Sequence, residues 1–279
     1  MTDNFLLHDR FSYFMPGTNG MGVVLVHGLT GAPSEMKWVA KYLNRKGYAI
    51  YAPLLAGHGV DEKTLIQTHW QNWTDSVSHA AAALCREVDS VFAAGICVGG
   101  HLSFMAAHQH PGSIQAVSIL SPTFHYDGWG MPFFYPILSH MVPVLELLPI
   151  WKNINFPETE NIGVKSEKMR KLMSNLSAEG VLDCFPALGL REMYHLSQAM
   201  KKAMAQTAIP TLILHAREDD LAHPRNAELM NKIHQGPHEL HWIDDSYHMI
   251  HLDQYQRVVE LCDQYFQRYC TGVAEPAVA

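Results

Sequence analysis

Cys97 stands in the run Gly95-Ile96-Cys97-Val98-Gly99-Gly100, between an apolar segment and a helical one. A nucleophile carried on a sharp strand-to-helix turn has a strained backbone, so its flanks must be glycine-sized. The form G-x-C-x-G meets that need. Such a turn lifts the side chain above a sheet edge and aims it at the helix N-terminus. Free N–H groups there favour a thiolate or an oxyanion. The chemistry implied is attack of sulfur on a carbonyl, with a covalent acyl-cysteine intermediate. A cysteine buried in a packing turn would use the same glycines. The strand before it and the helix after it weigh toward the nucleophile.

A nucleophile of this kind needs a base, an acid to orient the base, and oxyanion donors. Eighteen histidines make composition uninformative, so position must choose. His248 lies between an apolar run at 239–243 and a closing helix. Asp219 lies just past another apolar run at 211–215. The order is nucleophile, acid, histidine, with steps of 122 and 29 residues, as in nucleophile-elbow hydrolases. Asp220 adjoins Asp219 and stays open as the acid. His251 falls at a helix start, and His223, His238 and His241 read as surface or strand positions. His27-Gly28-Leu29-Thr30-Gly31 follows the apolar run 22–26. The N–H groups of Leu29 and Val98 are the expected oxyanion donors. His27 is expected to orient its loop rather than to act as base.

These loops require strands to hold them. Buried-strand runs occur at 22–26, 48–52, 88–95, 114–120, 211–215 and 239–243. Helical segments alternate with them at 33–46, 70–87, 99–110, 224–235 and 253–268. Apolar strands separated by helices imply a parallel sheet covered on both faces, with ligands at the carboxyl ends of the strands. From 123 to 206 the alternation stops and no strand is expected. The reading is a core of 1–122 and 207–279 with an inserted helical cap at 123–206.

The stretch 129–151 is long and apolar, but Pro132, Pro136, Pro143 and Pro149 interrupt it and His140 and Glu146 lie inside. Proline breaks helices, so no transmembrane span is expected, only a broken cap able to touch a membrane transiently. Trp129, Met131, Phe133 and Phe134 are its candidate acyl-binding residues. The net charge of −7, with 20 basic against 27 acidic residues, argues against nucleic acid as a partner. No HExxH, metal-ligand spacing, GxGxxG or Walker loop occurs, so neither metal nor cofactor is expected. Five irregularly spaced cysteines and an N-terminus without a signal-peptide pattern fit the cytoplasm.

Taken together, 27–31, 53–59, 73–75, 95–100, 215–219 and 246–253 resemble the α/β-hydrolases of the bacterial carboxylesterase and monoacylglycerol-lipase type. The resemblance covers nearly the whole chain and is weakest in the cap. It implies the α/β-hydrolase fold. It puts Cys97, Asp219 and His248 at the triad positions and Leu29 and Val98 at the oxyanion hole. The family generally has serine where this chain has Cys97, and often glycine where it has Tyr247. The implied activity is hydrolysis of an ester or thioester, small or carrier-bound, of an apolar acyl chain. Transfer to an alcohol, amine or thiol acceptor is the alternative, and a non-catalytic ligand-binding homologue is the second.

Overall fold

The computed structural model describes residues 9–132, 134–148, 151, 154–157, 162–175, 180–181 and 184–270. The run MGVVLV is rich in β-branched residues and lacks polar alternation, so it suits a strand covered on both faces. It forms β2 (Met21–Val26), preceded by β1 (Tyr13–Met15). A 3-10 turn (Pro33–Met36) leads into α1 (Lys37–Arg45), followed by β3 (Ala49–Ala52). Next come α2 (Glu62–Leu65), α3 (Trp70–Leu84), β4 (Ser90–Ile96), α4 (Val98–Gln109) and β5 (Ala116–Leu120).

The chain then leaves the sheet. It forms α5 (Tyr135–Leu145), β6 (Asn155–Pro157), α6 (Glu167–Asn175), β7 (Cys184–Pro186) and α7 (Ala187–Met204). It returns as β8 (Thr211–Ala216), α8 (Arg225–Ile233), β9 (His238–Ile243), the one-turn α9 (Ile250–Asp253) and α10 (Tyr255–Gln267).

Seven strands pair in the order β1-β3-β2-β4-β5-β8-β9. All neighbours are parallel except β1, which runs antiparallel to β3 with Tyr13 opposite Ala52. Period-two alternation divides the sheet's side chains between two cores. Val24 and Val26 join Trp73, Leu102, Phe104 and Met200 on one face. Val23 and Leu25 join Leu43, Phe92 and Phe266 on the other, where the Phe92 and Phe266 rings stack at 4.6 Å. The sheet is thus covered on both sides, as the apolar runs require.

Three expectations need correction. β1 was not anticipated; at three residues it is too short to display a period. The middle of the chain is not strand-free, because β6 and β7 pair antiparallel, with Phe156 opposite Phe185. Each is three residues long and ends in proline, which removes a ladder donor and hides the pattern. Among the described residues no helix is long and apolar enough to cross a membrane; α5 nevertheless continues through Pro143, so that proline does not break the segment as expected.

Candidate active site

The turn after β4 begins with Cys97 at φ 54°, ψ −119°. A non-glycine residue there is strained by about 1–3 kcal/mol, a cost sustained only when the surroundings impose it. The neighbouring backbone imposes it. A Cβ on Gly95 would collide with the Gly99 carbonyl group, and one on Gly99 would lie 2.5 Å from the carbonyl oxygens of both Val26 and His27. The two glycines of the motif therefore let the turn close on itself and press against the 26–28 backbone. Cys97 N–H donates to Leu120 O at 2.8 Å, tying the turn to the end of β5. The side chain sits at the N-terminus of α4, 6% exposed.

His248 and Asp219 are brought to it by the loops after β9 and β8. His248 Nδ1 donates to Asp219 Oδ2 at 2.8 Å, and the remaining face of the imidazole makes a hydrogen bond with the Cys97 side chain. Asp219 is aimed by its own turn, for its Oδ1 accepts the N–H groups of Leu221 at 2.9 Å and Ala222 at 2.7 Å. Buried His215 donates from Nε2 to Ala222 O at 2.9 Å and lies 3.4 Å from Asp219 Oδ2. Burial opposes a charge on His248, yet the Asp219 carboxylate, its hydrogen bond and the Cys97 contact hold the imidazole well above its ordinary range. Burial likewise works against the Asp219 charge, but His248, His215 and the Ala222 N–H hold its carboxyl below the usual range. Each partner thus favours the charged form of the other.

Leu29 lies on the loop after β2 and Val98 opens α4, two segments that Gly99 allows into contact. The first is braced by two buried imidazoles. His27 donates from Nδ1 to Gly28 O at 2.8 Å and accepts Leu55 N–H at Nε2, 3.2 Å away. His58 donates from Nε2 to Leu29 O at 2.6 Å. Burial pushes His27 down to about 3 and His58 down to about 4, so both are neutral near pH 7. Glu35 Oε1 accepts the Gly28 N–H. His27 therefore orients its loop, as expected, and does not face the thiol with a free nitrogen. Glu35 has no place in the sequence reading, and His58 enters it only within the 53–59 segment, without a role.

The two acid candidates separate cleanly. Asp219 bonds the imidazole, while the Asp220 carboxylate accepts backbone N–H groups of His248 and Gly163 at 3.3 and 2.8 Å. His251 is fully buried in α9, and neither ring nitrogen has a partner among the described residues. A third carboxylate, Asp253, accepts the N–H groups of Tyr247, Lys165 and Ser166, and the Ser246 hydroxyl at 3.2 Å. It fastens 165–166 to the histidine loop.

Of the candidate acyl-binding residues, Trp129 is 66% exposed. Its Nε1 donates to Glu218 O at 3.1 Å and its ring meets Tyr247 edge-on at 5.2 Å. Met131 packs against the core that contains Leu29, Tyr126 and Met193. Phe134 is exposed, and Phe133 lies outside the described residues. No cluster of three metal-ligating side chains occurs among the described residues.

A strained residue between a parallel strand and a helix, with an acid and a histidine on later strand ends, defines an α/β-hydrolase. The profile of the family described as serine aminopeptidase, S33, matches residues 19–255, and the chain belongs to that family. It is similar to carboxylesterases and monoacylglycerol lipases. It is 25% identical over 251 residues to a thermostable monoacylglycerol lipase of Bacillus sp. (strain H-257), covering 89% of this chain and 91% of that one. It is 24% identical over 239 residues to a carboxylesterase of Bacillus subtilis (strain 168), covering 85% and 88%. Among solved structures, the fold is similar to one from work on LipS and LipT, two metagenome-derived lipolytic enzymes. The TM-score is 0.76 at 22% identity, over 92% of this chain and 97% of that one. The monoacylglycerol lipase of Paleococcus ferrophilus gives 0.74 at 17% identity, over 91% and 98%. The family's description names a serine enzyme, whereas this chain has cysteine at the elbow.

Proposed function

We propose that the protein is an acyl hydrolase, a carboxylesterase or thioesterase for an apolar acyl chain, working through an acyl-cysteine. The observation that carries this reading is the hydrogen-bonded series Cys97, His248, Asp219, with Cys97 at positive φ. His248 takes the thiol proton while Asp219 fixes its tautomer and stabilises the imidazolium. Sulfur bonds to the substrate carbonyl carbon, and the oxyanion rests on the N–H groups of Leu29 and Val98. Collapse breaks the bond to the alkoxide or thiolate, which leaves with the imidazolium proton. Water then gives a proton to His248 and attacks the thioester, releasing the acid and the thiol. Each oxyanion donor contributes about 3 kcal/mol to such a transition state. The named activities of the two Bacillus relatives, a lipase and a carboxylesterase, support the ester-cleaving class.

The cap is assigned to 123–206 and the core to the remainder. Exposed Trp129, Phe134, Met141, Val144, Leu147 and Leu148 support a cap that gathers apolar acyl chains and touches lipid surfaces transiently. The test is a burst assay with p-nitrophenyl esters, followed by a mass measurement on Cys97. An acyl mass increment on Cys97, lost in Cys97→Ala, is expected with steady hydrolysis; no adduct and no turnover on any ester or thioester overturns the reading. Cysteine at the elbow favours one further outcome, since a thioester passes readily to acceptors. Acylation released only on adding an alcohol, amine or thiol identifies an acyltransferase. Binding without acylation identifies a ligand-binding homologue.

A further inference from the structure

The base is held at more points than the proposed chemistry uses. Asp220 Oδ1 accepts the backbone N–H of His248, and Ser121 Oγ donates to the His248 carbonyl oxygen at 2.6 Å. Ser121 is fully buried and sits at φ 46°, so this hydroxyl is placed at a cost in backbone strain. Its N–H donates to Leu214 O at 2.8 Å, which fixes it to β8. The other Asp220 oxygen accepts Gly163 N–H, and Gly163 O in turn accepts Met249 N–H at 2.7 Å. The Asp220 main-chain oxygen accepts Gly130 N–H at 2.8 Å. Asp220 is 3% exposed. A carboxylate taken so far from water is tolerated only where N–H donors meet it, and here the donors belong to the base and to the segment lying over it.

We propose that Asp220 is a positioning residue. With Ser121 opposite, it clamps the main chain of His248 and so sets the height of the imidazole against Cys97. The side chain is oriented by Asp219 and the backbone by Asp220, so two adjacent carboxylates divide the task. The clamp also ties the base to the 128–130 and 163 segments, which makes the floor of the cap part of the catalytic frame. The proposal rests on the acyl-transfer reading above, because it acts through His248.

The test is a double-mutant cycle on a short p-nitrophenyl ester, using the parent, Asp220→Asn, His248→Ala and the double variant. Asparagine is isosteric but can accept only one of the two N–H groups. A displacement approaching 1 Å costs about 100-fold. We expect kcat in Asp220→Asn to fall about 10- to 100-fold with KM within about twofold. In the His248→Ala background the same change should cost less than twofold. The rate of Cys97 alkylation by iodoacetamide is read as well. At one fixed pH it should fall in Asp220→Asn, and the two His248→Ala variants should coincide. Ser121→Ala, which leaves the acid loop intact, should repeat the pattern if Asp220→Asn fails to fold in a thermal melt. Equal losses in both backgrounds, or no loss beside intact His248, overturn the positioning role. Parent-level turnover in His248→Ala instead overturns the acyl-transfer reading itself.

Discussion

Gly99→Ala puts the closeness of the two active-site loops to a direct measurement. The added methyl would start 2.5 Å from the carbonyl oxygens of Val26 and His27, where ordinary contact begins at 3.4 Å. The difference, about 0.9 Å, must be taken up by backbone, since neither neighbour is a flexible side-chain end. Overpacking of this kind costs about 1–3 kcal/mol of stability. For a chain of this size each kcal/mol lowers Tm by about 2–4 °C, so a fall of several degrees is expected. The displaced groups are the elbow and the loop bearing Leu29. A shift near 1 Å costs about 100-fold in kcat, or about 2.7 kcal/mol of transition-state stabilisation.

The control is Gly189→Ala near the start of α7. Its new methyl would meet Leu29 Cδ2 at 3.8 Å and Pro186 Cδ at 3.9 Å, both ordinary contacts. There alanine should stabilise by about 0.5–1 kcal/mol, because glycine loses more backbone freedom in a helix. The assay is calorimetric Tm with steady-state kinetics on a p-nitrophenyl ester. A Gly99→Ala protein with parent Tm and kcat would refute the claim that bare glycine is what lets the elbow meet the 26–28 backbone. Gly189→Ala behaving as badly as Gly99→Ala would show that any glycine replacement harms this fold.

Asp219→Asn should keep the acid loop, because Oδ1 can still accept from Leu221 and Ala222. It should nevertheless lower kcat by about 10⁴-fold through the wrong imidazole tautomer, with KM little changed in a Michaelis analysis. Stability should fall on acidification. His27, His101 and His251 are pushed by burial down to about 3, and His58 to about 4, while an unfolded imidazole binds its proton near 6.5. Their contribution is intact above about pH 6.5 and is lost as pH falls toward the folded values; urea titrations from pH 7 to 4 should show net proton uptake on unfolding, to which these four imidazoles contribute up to about four protons and His248, held above its ordinary range, contributes in the opposite sense. A slope below one proton would contradict their burial as neutral groups. Trp129→Ala removes an exposed ring held by its bond to Glu218 O and its edge contact with Tyr247. It should change stability by less than about 1 kcal/mol and raise KM for long-chain esters more than for acetates, as a chain-length series would reveal.

The positions of Cys97, His248 and Asp219 were legible because each follows an apolar run, and in a parallel sheet such loops gather at one edge. The elbow was legible a second way, since the clash at Gly95 and Gly99 leaves its mark as glycine. What separates Asp219 from Asp220 was not legible. Adjacent residues on one turn share every sequence property, and only the N–H bonds from Leu221 and Ala222 aim one of them at the ring. The supports escaped for a related reason. Ser121 reaches His248 across 127 residues, and His58 reaches Leu29 across 29, each through a backbone oxygen that carries no residue signature. The short β6–β7 pair offers too few residues for a period to register.

Asp253 gathers chain segments that lie 88 residues apart in sequence, counting from Lys165. Closing so large a loop is entropically slow, and such long-range contacts tend to form late in folding. The histidine loop is therefore expected to set only once the 162–166 segment has returned. A nascent or partly folded chain would carry a thiol with no imidazole beside it, and reactivity would switch on only with maturation. Pulse-labelling hydrogen exchange at Lys165 and Ser166 would follow this order, and early protection there would contradict it.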